Sequence, residues 1–447
     1  MQIITLNEAR RPRMIKDRDK EVLQKLCTFL IRYEWLFNFS NLDVLQEQKK
    51  WPQEWMTFFQ STPLKSAKQI FQLEPGNQCK VDVPFFVEQF IQQRNDVVRD
   101  FETQYVETIT NKVEVQPTMK KGLSPKKEHE VVKLGSFITS QLSDCDRIID
   151  VGSGAGHLER YLLEVWKKKS NVNCEICCIE SENAQIASAN KWALRSGIDC
   201  QKQVKSIAAK LEDLPHCFRK IEEQVGNAKK RQALIGLHAC GDLTNTMLSW
   251  FVSSNYFSKL AVVSCCYHKM STFPISDQIQ STLENDDYCG LASTYARRLG
   301  AQESFFSSWQ NKNLPQHDEH AKSFGRRAIL QSLSRKNLKK NNRHGIRNSG
   351  KISNEEFIAK VEQSYEFETD NDRNQVILAL HKELEMDFNW LEVFSGFQAI
   401  LQLPLEYFMM LDKLLYLRER LPQEKNPKLL KIFDATISPR CILIYCD

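Results

Sequence analysis

The sequence predicts an α/β fold: a seven-stranded, mostly parallel sheet covered by helices, with an N-terminal helical domain and a helical insertion between the fifth and sixth strands. Three observations predict it. Between Leu123 and Met270, apolar runs of strand length alternate with amphipathic stretches of helix length. The run "RIIDV" meets a glycine turn, "GSGAG", that passes directly into a helical pattern. Two further strand-like runs, "LLKIFDAT" and "RCILIYCD", return only after Leu421.

Taken in order, residues 1–115 read as helical. "DKEVLQKLCTFLIRYEWLFNF" spaces its apolar residues at helical intervals, "KKWPQEWMTFFQ" places Pro52 in a first turn, and "PFFVEQFIQQRNDVVRDFETQYV" is again amphipathic. No glycine-rich turn or catalytic spacing falls here. Residues 116–272 form the sheet-bearing core. In "LSPKKEHEVVKLGSFITSQL", Ser124 reads as a cap, Pro125 as the first helical residue and Glu128 as the capping-box acid. The strands follow as "RIIDV", "CEICCIE", "CQKQVKSI", "ALIGLHACGDL" and "KLAVVSCC", each separated from the next by a helix. Strands buried on both faces read as continuous apolar runs, as "LAVVSCC" does. Residues 273–425 form the insertion, and 426–447 return to complete the sheet.

Composition sets outer limits. A chain of 447 residues with 42% hydrophobic and 26% charged residues has the profile of a soluble globular protein of two or three domains. The N-terminus turns polar too early for a secretory signal, and no apolar run approaches the roughly 18 residues that span a bilayer. A cytosolic or nuclear address is expected, with the 14 cysteines mostly reduced. The net charge of +5 hints at an anionic partner. Lys120, Lys121, Lys126 and Lys127 cluster before the glycine turn. "SRKNLKKNNRHGIRNSGK", residues 334–351, reads as a solvated, mobile linker, with nucleic-acid contact as the alternative.

The glycine turn then asks what it holds. A dinucleotide turn needs G-x-G-x-x-G, whereas Gly152, Gly154 and Gly156 give G-x-G-x-G and His157 occupies the last glycine's place. No Gly-Lys-Ser/Thr follows, so a phosphate-cradling Walker A loop is excluded. Asp150 ends the first strand where a pyrophosphate would lie, an unfavourable pairing of like charges. A cationic ligand reverses the sign. S-adenosylmethionine carries a sulfonium and an ammonium and no phosphate. Asp150 would hold the ammonium, the glycines would admit the carboxylate and ribose, and Glu180, ending "CCIES", would accept from the ribose hydroxyls. Ser206, with Ile207, would border the adenine on fold position.

Chemistry in such sheets gathers at the carboxyl ends of the strands. The fourth strand closes in "GLHACGDL", with His238, Cys240 and Asp242; the fifth closes in "SCCYHKM", with Cys265, Cys266, Tyr267 and His268. His238 or His268 could serve as a general base. A cysteine nucleophile at Cys265 or Cys266 is a second option. Zinc at Cys174-Glu-Ile-Cys177 is a third, disfavoured because that segment reads as an interior strand, and no metal is expected. For His238 a plain pocket-shaping role competes with the base. Lys126 and Lys127 are candidates for positioning substrate phosphates. The Asp/Asn-Pro-Pro-aromatic segment of enzymes that methylate exocyclic base nitrogens is absent.

Together "DVGSGAGHL", "GLHACGDL", "SCCYHKM" and "FDATISPR", in that order, resemble the methyltransferase-like protein 25 family, which includes proteins labelled ribosomal RNA adenine dimethylase domain-containing. "SPKKEHEV" and "HAKSFGRRAILQSL" are also family-like. The resemblance implies a Rossmann-like class I methyltransferase fold, S-adenosylmethionine as cofactor and a methyltransferase activity. A more distant similarity is to tRNA 2′-O-methyltransferases, whose His-x-Cys-Gly segment matches His238, Cys240 and Gly241. Their Cys-Cys-His-His segment matches Cys265, Cys266 and His268, with Tyr267 replacing a histidine. RNA is therefore the expected substrate, modified at a 2′-oxygen or a base, and protein the second choice. The rival is a non-catalytic scaffold that keeps the fold and the cofactor while its helices bind a partner. The sequence does not fix an oligomeric state.

Overall fold

The computed structural model describes residues 17–71, 82–109, 123–169, 174–195, 204–226, 231–334, 338–340 and 346–447. Lys120 and Lys121 lie outside them, as do the first residues of the expected third strand. Two compact units emerge. The first comprises the described residues up to Cys27, Val97–Ala301 and Glu406–Asp447; the second comprises Thr28–Asp96 and Gln302–Leu405. These borders differ from those read in the sequence. They cut through the continuous helices Asp17–Arg32 and Phe85–Tyr105, where no break in the apolar periodicity marks a boundary.

The first unit is built on one sheet, whose strands are β1 Val106–Thr108, β2 Arg147–Val151, β3 Glu175–Glu180, β4 Val204–Ala208, β5 Gln232–Cys240, β6 Lys259–Cys265, β9 Lys428–Lys431 and β10 Ile442–Cys446. Their spatial order is β1-β9-β10-β6-β5-β2-β3-β4. From β6 to β4 every pairing is parallel, while β10 runs antiparallel to both β6 and β9. Seven of the eight strands are those the sequence predicts. The eighth, β1, extends the sheet by pairing parallel with β9. The chain winds from β2 outward to β4, then returns to β5 on the other side of β2 and winds outward again. That reversal makes the carboxyl ends of β2 and β5 the topological switch point, where open α/β sheets form a crevice.

Helices Pro125–Gln141, His157–Lys169, Asn183–Arg195, Pro215–Val225 and Asp242–Ser253 connect or flank the strands. Pro125–Gln141 starts where expected: the Ser124 hydroxyl accepts from the Lys127 N–H at 3.3 Å, and Pro125 occupies the first turn. Its buried stripe is Glu130, Val131, Leu134, Phe137 and Ile138. An acid within an apolar stripe has to be paired.

Between β6 and β9 the chain is largely helical, as predicted, with one addition. Strand β7, Leu338–Lys340, pairs antiparallel with β8, Tyr365–Phe367. The expectation of a solvated linker over 334–351 therefore needs correction in part. Ser349 is buried, its hydroxyl 3.1 Å from that of Ser323, and its carbonyl accepts from the Arg326 guanidinium. This second unit packs around aromatic rings, among them Trp51 stacked on Phe394 at 4.6 Å and Trp55 edge-on to Phe397 at 5.4 Å. Among the described residues no helix is long and apolar enough to cross a membrane.

Candidate functional site

The turn after β2 takes the shape its glycines permit. Gly152, Gly154 and Gly156 all have positive φ, at 74°, 59° and 72°. A side chain at Gly154 would meet no heavy atom within 4 Å, so the turn is open on that side. At Gly156 a Cβ would stand 3.2 Å from Ala189 Cβ, a close approach between this turn and the helix after β3. The Gly154 N–H donates to Glu180 Oε2 at 2.9 Å, while Glu180 Oε1 accepts from the Glu182 N–H at 2.9 Å. Glu180 thus ties the tips of β2 and β3 together and still has acceptor capacity, since a carboxylate offers about four lone-pair sites.

Beneath the turn lies an acidic pair. Asp150 is 2% exposed and Glu159, on the third position of the following helix, is 3% exposed. Glu159 Oε1 accepts from the Cys178 thiol at 3.2 Å, but Asp150 Oδ1 and Glu159 Oε2 have no hydrogen-bond partner. Burial, reinforced by the neighbouring acid, pushes the Asp150 carboxyl well above the ordinary range, and burial also raises Glu159. The sequence marked Asp150; its acidic neighbour was missed, although an acid at the third helical position is a common first-turn residue. His157, at the position of the absent glycine, is pushed down to about 4 by burial and by the nearby Arg160 and Lys127 charges.

Across the switch point, β5 outruns β2. Asp150 pairs in register with Ile235, so His238 stands beyond the tip of β2. The register shifts between Gly236 and Ala239, and His238 itself adopts φ 64°, a left-handed conformation uncommon outside glycine. This kink aims the imidazole at the helix Pro125–Gln141, where Nε2 lies 2.8 Å from Glu130 Oε2. Ser438, after β9, donates its hydroxyl to Glu130 Oε1 at 2.6 Å. Burial alone would raise Glu130, but the His238 ring, then Ser438 and Lys126, outweigh it and hold the carboxyl below its usual range. A carboxylate on Nε2–H fixes the tautomer with Nδ1 as the nitrogen able to accept a proton. His238 is one-third exposed, so it bridges a buried anion and the surface.

The remaining predicted residues separate. Asp242 opens the helix after β5, and its carboxylate accepts from the Ser271 N–H at 2.8 Å, the Ser271 hydroxyl at 2.7 Å and the Thr272 N–H at 3.2 Å. It clamps the loop after β6 to the start of this helix. Cys265 is buried, and the hydrogen bond it shares with Cys240, then burial, pushes its thiol up, while the same bond holds the Cys240 thiol down to about 6. Cys266 is partly exposed but likewise raised by burial and by Cys240. Tyr267 is buried, donating to Glu406 Oε1 at 3.1 Å beside Arg440. His268 carries a buried Nδ1 without a partner and is held down by burial, then by Arg298 and Lys269. Lys126 and Lys127 are exposed at their helix start. Ser206 lies exposed on the edge strand β4, in register with Cys178 and two residues short of the strand tip, so it is set back from the crevice mouth. Cys174 and Cys177 are buried in and beside β3; Cys177 is pushed up to about 11 by burial, and neither belongs to a cluster with metal-ligand spacing among the described residues.

A cavity of about 420 Å³ lies within the other unit and contains no sequence-predicted residue. Trp309, Lys312, His320, Phe324 and Arg327 line it, and His320 Nδ1 sits 2.5 Å from the buried Glu392 that also meets His317.

Residues 126–273 match a family model described as a methyltransferase domain. The protein named probable methyltransferase-like protein 25 of Mus musculus is 24% identical over 270 residues, covering 56% of this chain and 40% of that protein. Its Homo sapiens namesake is 25% identical over 228 residues, covering 47% and 36%. The chain thus spans about two fifths of the length of these relatives. Among solved structures, a coclaurine N-methyltransferase bound to N-methylheliamine and S-adenosylhomocysteine (SAH) aligns over 77% of this chain and 93% of that one, at 12% identity and a TM-score of 0.25. The matched span covers β2 through β6 with the glycine turn, the acidic pair, His238 and the thiols. Residues 126–273 thus match a methyltransferase domain, and the chain is similar to proteins named probable methyltransferase-like protein 25.

Proposed function

We propose that this chain is an S-adenosylmethionine-dependent methyltransferase acting on RNA. One observation carries the reading: an open turn of three left-handed glycines over a buried acidic pair shares a switch point with an imidazole held by a buried carboxylate. The residues present fit the cofactor. Asp150 offers a buried oxygen without a partner, the turn is open at Gly154, and Glu180 keeps acceptor capacity beside the turn's N–H groups. Asp150 would hold the ammonium, through a water given its depth, and Glu180 the ribose hydroxyls. When bound, the cofactor supplies an electrophilic methyl on a sulfonium. His238 would take a proton from the acceptor at Nδ1, with Glu130 stabilising the imidazolium; a positioned base contributes about 10²- to 10⁴-fold. Support for an anionic acceptor comes from exposed Lys126, Lys127, Lys269 and Arg298 around these strand ends.

Calorimetry with S-adenosylmethionine on the wild type and Asp150→Ala tests the cofactor half, and absence of heat from the wild type would overturn it. Incubating the protein with labelled cofactor and with RNA or protein pools from cells lacking it tests the rest. Label confined to RNA is expected. Label in protein would move the substrate, and binding without label in any pool would favour the scaffold.

A further inference from the structure

Cys240, Cys265 and Cys266 bring three sulfurs to one place, all within 4.8 Å of one another. The chain bends to achieve this. Cys240 and Cys265 end neighbouring strands and face each other in register, with their Sγ atoms 2.6 Å apart. Consecutive residues of a strand point to opposite faces, so Cys266 would ordinarily turn away from Cys265. Instead Cys266 adopts φ 51°, a left-handed conformation that returns its sulfur to the cluster. The turns carrying the thiols are also pressed together. Gly241 has φ 59°, and a Cβ there would come within 3.2 Å of the Lys269 backbone. The Gly241 N–H donates to the Cys265 carbonyl at 3.2 Å. Two of the three left-handed non-glycine residues among those described flank this cluster: His238 in the bulge of β5 two residues before Cys240, and Cys266 directly after β6.

We propose that Cys240, Cys265 and Cys266 form a zinc(II) site of three thiolates with an open fourth position. Soft sulfur donors select zinc over magnesium or calcium, and three protein ligands plus an open position is the arrangement of reactive rather than purely structural zinc sites. Burial is graded in the same sense: Cys265 is buried, Cys266 intermediate and Cys240 exposed, which leaves one side of the cluster reachable from solvent. Tetrahedral zinc with bonds of about 2.3 Å sets its sulfurs roughly 3.8 Å apart. Binding therefore parts Cys240 from Cys265 by about 1 Å, within reach of a side-chain rotation. Each thiol gives up its proton to solvent as its sulfur bonds to the metal; no electron is transferred. The site stands apart from the methyl-transfer reading and holds even if that reading fails.

The test uses the full chain, reduced and stripped with chelator under anaerobic conditions. Zinc is titrated against a chromophoric chelator, and cobalt(II) is added in parallel. One equivalent of zinc and a sulfur-to-cobalt charge-transfer band of three-thiolate intensity are expected. Cys240→Ser/Cys266→Ser should weaken zinc at least a hundredfold and abolish the band, while Cys177→Ser changes neither. Should the double variant fail to fold, wild-type labelling decides: zinc should slow iodoacetamide modification of Cys240 and Cys266, mapped by mass spectrometry. Absence of the cobalt band, zinc binding unaltered in a folded double variant, or labelling indifferent to zinc would overturn the site. So would a Cys240–Cys265 disulfide that persists in the reduced protein.

Discussion

Replacing Asp150 by asparagine should stabilise the ligand-free protein while crippling cofactor binding. Asp150 is 2% exposed, its Oδ1 has no partner, and it abuts Glu159, itself 3% exposed with Oε2 unpartnered. Both carboxyls are raised by burial, so the folded state favours their protonated forms. The sign follows. Stability from a raised carboxyl is complete below its unfolded value, about 4, and is lost as pH climbs through the folded one. At pH 7.5 the wild type therefore carries the cost of a crowded acid pair. The isosteric amide removes one acid and donates to the other. A buried polar group left unsatisfied costs about 1–3 kcal/mol, so relief of that size in a unit this large should raise the unfolding temperature by roughly 2–5 °C. Binding moves the opposite way. Losing a charge-assisted hydrogen bond worth about 1.5–3 kcal/mol weakens S-adenosylmethionine roughly 10- to 150-fold. Scanning calorimetry from pH 5 to 8, with titration calorimetry at pH 7.5, measures both. A variant less stable than wild type without ligand, or one that binds equally well, would refute the assignment of this pair.

Glu130→Gln should lower turnover about 10- to 100-fold with little change in KM, because it disorients His238 without touching the cofactor turn. The same substitution should flatten the acid limb of urea-denaturation stability, since the depressed Glu130 carboxyl contributes above about pH 4 and loses that contribution as pH falls through its folded value. Gly154→Ala should cost only about 1–2 kcal/mol of stability, the strain of a left-handed alanine in open space, yet abolish detectable binding in a titration. His157, pushed down to about 4, should make the wild type lose stability between pH 6.5 and 4, a loss absent from His157→Gln in thermal melts.

The sheet was legible because buried parallel strands leave continuous apolar runs, and β2 is buried at every position. Strand β1 was not, since the three residues Val106–Thr108 carry no periodicity and gain their identity from β9. Asp150, Glu180 and His238 were readable as polar residues ending apolar runs. Glu130 and Ser438 were not, because their partnership spans 308 residues and neither falls at a strand tip. A signal for Glu130 did exist. It lies on the stripe with Val131, Leu134 and Ile138, and an acid on an otherwise apolar helix face points to a buried partner. The distinction between Asp242 as loop clamp and Cys240 as cluster member needed the left-handed turns at His238 and Cys266, which no residue type announces.

Strand β10 lies between β6 and β9, yet it is translated about 180 residues after β6. At roughly 5–20 residues per second, a nascent chain waits about 10–35 seconds with the flank of β6 unpaired. An open hydrogen-bonding edge of that kind invites association with neighbouring chains. Biogenesis of this protein should therefore lean on ribosome-associated chaperones, and a stall before residue 442 should yield aggregates rather than a soluble fragment.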